Sequence, residues 1–86
     1  MPELARFYGI VIRLRYREHP PPHFHVRYQN YDASIDIHSL TVIKGWLPTR
    51  AENMVQEWAS QHRDELMMAW QDAVAGRTPA KIAPLE

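Results

Sequence analysis

The chain contains no cysteine, which excludes a disulfide framework and any thiolate metal site. That absence fits a reducing, cytoplasmic compartment. No apolar run approaches the roughly 18 residues that a membrane-spanning helix needs. The segment Met1 to Arg17 does not read as a secretory signal either, because Arg6, Arg13, Arg15 and Arg17 interrupt any apolar core. Glycine occurs three times, and neither Gly9 nor Gly45 sits in a phosphate-loop pattern. The formal net charge is +0. There are no internal repeats and no low-complexity segment.

The neutral total conceals a division. From Met1 to Tyr31 five arginines face only Glu3 and Glu18, giving +3; from Asp32 to Glu86 five basic residues face eight acids, giving −3. His19, His23 and His25 belong to the basic part. Such a split is expected of a basic binding surface with an acidic counterpart, or of helices solubilised by acids. Eighty-six residues make one domain. A chain this small buries only roughly 60–65% of its unfolded surface, so association would add to its stability.

Strand signals come first. Gly9 to Arg17 alternates: Ile10, Ile12, Leu14 and Tyr16 fall on one side, Val11, Arg13, Arg15 and Arg17 on the other. His19-Pro20-Pro21-Pro22 then forms a stiff connector, because proline has no N–H to donate and favours an extended backbone. A second strand is expected over His23 to Tyr28 and a third over Tyr31 to His38. Gln29-Asn30 between them suits a tight hairpin, with Asn30 taking a positive φ. The register follows. Tyr28 faces Tyr31, Val26 faces Ala33 and Phe24 faces Ile35. On the opposite face Arg27 meets Asp32, His25 meets Ser34 and His23 meets Asp36. A slip of one residue breaks every apolar pair. Thr41 to Leu47 adds a fourth, less regular strand.

Helix follows. Thr49 and Glu52 have capping-box spacing. Ala51, Met54, Val55, Trp58, His62, Leu66, Ala69, Trp70 and Ala73 recur with helical period up to Gly76, a candidate C-cap. An unbroken helix over Arg50 to Ala75 would be roughly 39 Å long. That length predicts either a break between Ser60 and Asp64 or a second half packed on another chain. Trp46, Trp58 and Trp70 read as core or interface residues, as do Met67 and Met68. His62 reads as a hydrogen-bonded core histidine. The tail from Arg77 to Glu86 is expected to dock through Ile82 and Leu85. The expected fold is α+β: an antiparallel sheet of three to four strands and a long or broken C-terminal helix, in two layers. Residues 1–8 form a lead, 9–47 a β-meander, 49–75 the helical part and 77–86 the tail.

Several segments together carry a family resemblance. They are Arg6-Phe7-Tyr8-Gly9-Ile10-Val11-Ile12, His19-Pro20-Pro21-Pro22-His23-Phe24-His25, Gly45-Trp46-Leu47-Pro48, Glu57-Trp58-Ala59, His62-Arg63-Asp64-Glu65-Leu66, Trp70 and Ile82-Ala83-Pro84-Leu85. The chain thereby resembles the bacterial family of unknown function DUF 4160. That family usually shows two prolines before the histidine; here there are three, with His19 directly before them. The resemblance implies a neighbouring small protein of the DUF 2442 type and a toxin–antitoxin-like pair of genes. It brings no established activity.

The polar sheet face holds the candidate chemistry. His23 and His25 project from one side of a strand, with Asp36 across from them and His19 near the rim. Imidazole and carboxylate ligands suit Zn²⁺ or another divalent first-row metal, with His19, His23 and His25 as metal ligands. The same set, with His23, His25 and Asp36 catalytic, suits acid–base chemistry at a phosphate steadied by arginine, as in a nuclease-like or metal-dependent hydrolase. Paired charges across strands also occur as plain structure. Arg13, Arg15, Arg17 and Arg27 suit a surface for nucleic acid, RNA or DNA, or for an acidic partner protein. Two readings result. One is an interaction module, homodimeric or bound to a partner, in a bacterial regulatory pair. The other is a small enzyme centred on His19, His23, His25 and Asp36.

Overall fold

The computed structural model describes residues 2–86. The fold is α+β. Five strands, β1 (Glu3–Phe7), β2 (Ile10–Arg13), β3 (His23–Tyr28), β4 (Tyr31–Asp36) and β5 (Val42–Gly45), precede α1 (Thr49–Gln61) and α2 (Arg63–Val74). The strands form one antiparallel meander in the order β1-β2-β3-β4-β5.

The β3–β4 register agrees with the sequence pattern at all six pairs, from His23 opposite Asp36 to Tyr28 opposite Tyr31. The apolar side chains of these strands therefore lie on one face. Ile10, Ile12, Leu14, Phe24, Ile35 and Ile37 are at most 1% exposed. The helices cover that face with Ala51, Val55, Trp58 and Ala59 of α1 and Leu66, Ala69, Trp70 and Ala73 of α2. Trp58 packs tilted against Phe7 and edge-to-face against Phe24, with ring centroids 5.4 Å and 6.1 Å apart.

The structure departs from the sequence reading at several points. The lead is a strand: Tyr8 and Gly9 both take positive φ, 50° and 81°, and fold β1 back onto β2. Two left-handed residues make a turn whose twist matches paired strands, so a five-strand sheet replaces the three or four expected. The strand expected through Arg17 ends at Arg13, because Arg17 turns left-handed at φ 58° and donates its N–H to the Ala73 carbonyl. Tyr16 is consequently exposed rather than in the core. In the Gln29-Asn30 hairpin the positive φ falls on Gln29, not Asn30. The third strand ends at Asp36 rather than His38, where the Asp36 carboxylate accepts the N–H groups of His38 and Ser39 and turns the chain.

The helix breaks at His62, with φ −131°, inside the window expected for a break. Two short helices fit over one sheet, and Trp58 and Trp70 are covered within the chain itself. The capping box does not form: Pro48 holds the cap position without a side-chain hydrogen bond, and Thr49 is already helical. His62 is half-buried, pairs through Nδ1 with Glu65 Oε1 at 2.6 Å and packs on Trp58. Trp46 and Met68, expected to be structural, are 59% and 66% exposed. The tail docks through Ile82, whose N–H donates to the Leu4 carbonyl at 2.9 Å, while Trp58 Nε1–H donates to the Ala83 carbonyl at 2.7 Å. No helix among the described residues is long and apolar enough to cross a membrane.

Candidate functional site

Alternation along β3 turns Phe24 and Val26 inward, so His25 and Arg27 emerge on the face away from the helices. The antiparallel neighbours set Arg13 of β2 beside His25 and Val11 beside Arg27. On the other side Ser34 and Asp32 of β4 complete the rows, and Lys44 of β5 lies opposite Ser34. These side chains, with Arg15 and Glu18, line an open groove of about 810 Å³.

Within the groove lining sits a carboxylate between two imidazoles. The left-handed turn at Arg17 brings the connector back over the start of β3, and this places Glu18. Its Oε2 lies 2.7 Å from His23 Nε2 and its Oε1 lies 2.5 Å from His25 Nε2. The outer nitrogens are held as well. His23 Nδ1–H donates to the Pro21 carbonyl at 2.7 Å, and His25 Nδ1 lies 3.3 Å from Ser34 Oγ. The rings meet edge to face at 5.1 Å, and Trp70 packs on His23 at the same distance. His23 is buried, and the Glu18 and His25 side chains are 20% and 18% exposed. Both partners of His23 are oxygens, the Pro21 carbonyl and the Glu18 carboxylate. Burial opposes ionisation of Glu18, yet the hydrogen bonds and charges of His25 and His23 outweigh it and hold this carboxyl below its ordinary value. Donor atoms of Glu18, His23 and His25 all lie within 4.8 Å of one another, the spacing of a potential cation site.

Around the cluster the charges differ in commitment. Arg27 pairs with Asp32 at 2.5 Å, with both side chains at least half exposed, and such a pair contributes only about 0–1 kcal/mol. Arg15 stands 3.8 Å from Glu18. Arg13 and Lys44 reach the groove and take part in no ion pair among the described residues.

The sequence-derived site is therefore partly assembled. His23, His25, Arg13, Arg15 and Arg27 come together in the groove. Arg17 does not, because its guanidinium lies against Gly76 at the end of α2. His19 is exposed and lies outside both the groove lining and the donor cluster. Asp36 faces His23 in the backbone register, but its carboxylate is spent on the turn, where the N–H groups of Ser39 and His38 lower its pKa. Glu18 takes the place that the register assigned to Asp36. Strand periodicity does not reach a residue in a connector. The only sequence signal for it is an acid two residues before a proline run, with His19 between, that leads straight back into a His-Phe-His strand.

No curated protein and no solved structure matches the chain. A family model does match, over residues 9–71, which includes the His-Phe-His strand, the cluster, all of α1 and most of α2. The chain belongs to the family described as "Domain of unknown function (DUF4160)".

Proposed function

We propose that the chain is a binding module that takes an acidic segment of a partner protein into the groove, as one member of a two-gene bacterial regulatory pair. The observation that carries this reading is the set of cations, Arg13, Arg15, Arg27 and Lys44, around one open groove on the helix-free face. Two of them, Arg13 and Lys44, have no counter-charge in an ion pair among the described residues. Carboxylates of an extended peptide would supply it, and charge complementarity of this kind sets encounter rate and register. A small protein of the DUF 2442 type is the partner that family membership suggests.

Nucleic acid is the competing ligand. Sequence-tolerant binding of single strands relies on aromatic platforms as well as cations. No Phe, Tyr or Trp lines the groove among the described residues, and Tyr8 and Tyr16 lie elsewhere. This favours the acidic peptide. The test is fluorescence anisotropy with a labelled oligoglutamate and an oligouridylate of equal length, at low salt. The peptide is expected to bind more tightly. The charge-reversed pair Arg13→Glu and Lys44→Glu is expected to weaken it by about tenfold or more, with an unchanged melting temperature. Tighter binding of the oligonucleotide, or indifference of peptide binding to the reversals, would overturn the reading.

A further inference from the structure

We propose that Glu18, His23 and His25 form a binding site for a divalent first-row metal ion of the Zn²⁺ class. The proposal is independent of what fills the basic groove. It rests on how the two rings are held. In protein metal sites a ligating histidine nearly always fixes its second nitrogen with an outer hydrogen bond, which sets the tautomer and aims the free nitrogen at the metal. Both rings meet that condition. His23 Nδ1–H is anchored on the Pro21 carbonyl at 2.7 Å, and His25 Nδ1 is within reach of Ser34 Oγ at 3.3 Å. Both Nε2 atoms consequently face one carboxylate, His23 Nε2 lying 2.7 Å from Glu18 Oε2 and His25 Nε2 2.5 Å from Glu18 Oε1.

The distances suit a cation after a small adjustment. Nitrogen and oxygen donors bind Zn²⁺ at about 2.0–2.1 Å, so in a tetrahedral site they stand about 3.3 Å apart. The carboxylate need withdraw by about 0.7 Å from each imidazole to admit the ion, while the donor atoms, which all lie within 4.8 Å of one another, settle to that spacing. Glu18 is the member whose adjustment leaves the strand ladder intact, since it extends from a connector while the histidines belong to a strand. Trp70 packed on His23 and the edge-to-face contact between the rings fix the two nitrogen donors before the ion arrives.

The donor set is two imidazole nitrogens and one carboxylate, which is the borderline chemistry preferred by Zn²⁺, Co²⁺ and Fe²⁺ over Mg²⁺ or Ca²⁺. Three protein ligands leave coordination positions open, and the cluster borders the groove.

The deciding experiment is titration of the chelator-treated full chain with ZnCl₂ by calorimetry, and with CoCl₂ by visible absorption. One ion per chain is expected, with the intense d–d bands of four-coordinate Co²⁺. His25→Gln and Glu18→Gln are each expected to weaken Zn²⁺ binding by about 100-fold or more, while MgCl₂ gives no heat with any variant. His19→Gln and Asp36→Asn are expected to change affinity less than threefold, which separates this ligand set from the one that strand register alone suggests. Circular dichroism establishes that each variant is folded; Glu18→Gln keeps the side-chain length and one acceptor oxygen for the two histidines, so its result stands even if His25→Gln unfolds. Absence of one-to-one binding, unaltered binding in Glu18→Gln, or an equal loss in His19→Gln would overturn the proposal.

Discussion

Trp58 ties three parts of the molecule together, and its replacement by phenylalanine tests how the small core is held. Its ring is fully buried against Phe7 and Phe24, and its indole N–H reaches across to the Ala83 carbonyl at 2.7 Å. Trp58→Phe keeps an aromatic ring but removes roughly 40 Å³, which at about 24 cal/mol per Å³ costs about 1 kcal/mol. The hydrogen bond is also lost. Ala83 is itself exposed, so water satisfies the released carbonyl and the net loss is about 1 kcal/mol rather than the larger penalty of a buried orphan. The sum is about 2 kcal/mol. For a domain of this size that corresponds to a fall in melting temperature of about 8–16 °C. The assay is urea denaturation followed by native-state hydrogen exchange. The Ile82 amide is the informative probe, because it donates to Leu4 and depends on the tail lying where the indole holds it. A loss below about 0.5 kcal/mol with unchanged Ile82 protection would refute this account of the tail as an integral part of the core.

Two further expectations follow from backbone and charge. A Cβ at Gly45 would lie 2.1 Å from the Asp32 carbonyl oxygen, at φ +80°, so Gly45→Ala must either break the β4–β5 ladder or shift it. A loss of about 2 kcal/mol or more is expected in the urea midpoint, and near-neutral behaviour would refute the close approach. Asp36 has a pKa held below its ordinary 3.8 by the Ser39 and His38 amides, so its ionisation contributes stability that is present above about pH 3.8 and fades as pH falls through the lower folded value. Asp36→Asn, which keeps an acceptor oxygen but removes the charge, is expected to flatten the stability profile in that acid window and leave its shape above pH 5 unchanged. An identical acid slope in the variant, measured by thermal melts across pH 2–6, would remove Asp36 as the source.

The parts of the fold that were legible in the sequence are those where a period and a boundary agree. Phe24, Val26 and Tyr28 alternate against His23, His25 and Arg27, and the chain returns after Gln29-Asn30 with Ala33, Ile35 and Ile37 in matching phase. Burial of one face then leaves a single register. The break at His62 was legible only as one of two alternatives: an unbroken helix was long for a domain of this size, which called for either a break between Ser60 and Asp64 or a second half packed on another chain. β1 was not legible, because Glu3–Phe7 contains a bulge between Glu3 and Ala5 that leaves Leu4 and Ala5 buried side by side and destroys the alternation. The capping box failed for a local reason. Thr49 directly follows Pro48, whose φ of −57° and ψ of 146° make the proline the last non-helical residue, so the threonine enters the helix one position too late to cap it.

The site repeats this division at the level of single side chains. Strand register fixes where a Cβ points, and it placed His25 opposite Ser34 and on one face with Arg27 correctly. It does not say what a carboxylate at the end of a strand will do with its oxygens. Asp36 sits where β4 stops, and the unpaired amides of the following turn lie closer to it than any side chain on β3; a carboxylate accepting two backbone N–H groups is well satisfied and has no reason to cross the sheet. The buried imidazole of His23 then needs another acceptor, since an unpartnered polar nitrogen at 8% exposure is costly. The connector supplies it. Arg17 in a left-handed conformation, anchored through its N–H on Ala73, reverses the chain so that the next residue, Glu18, lies over both rings. The carboxylate at the cluster is thus set by the docking of α2 as much as by β3, which makes the connector, with its proline run, part of the site rather than a link between strands.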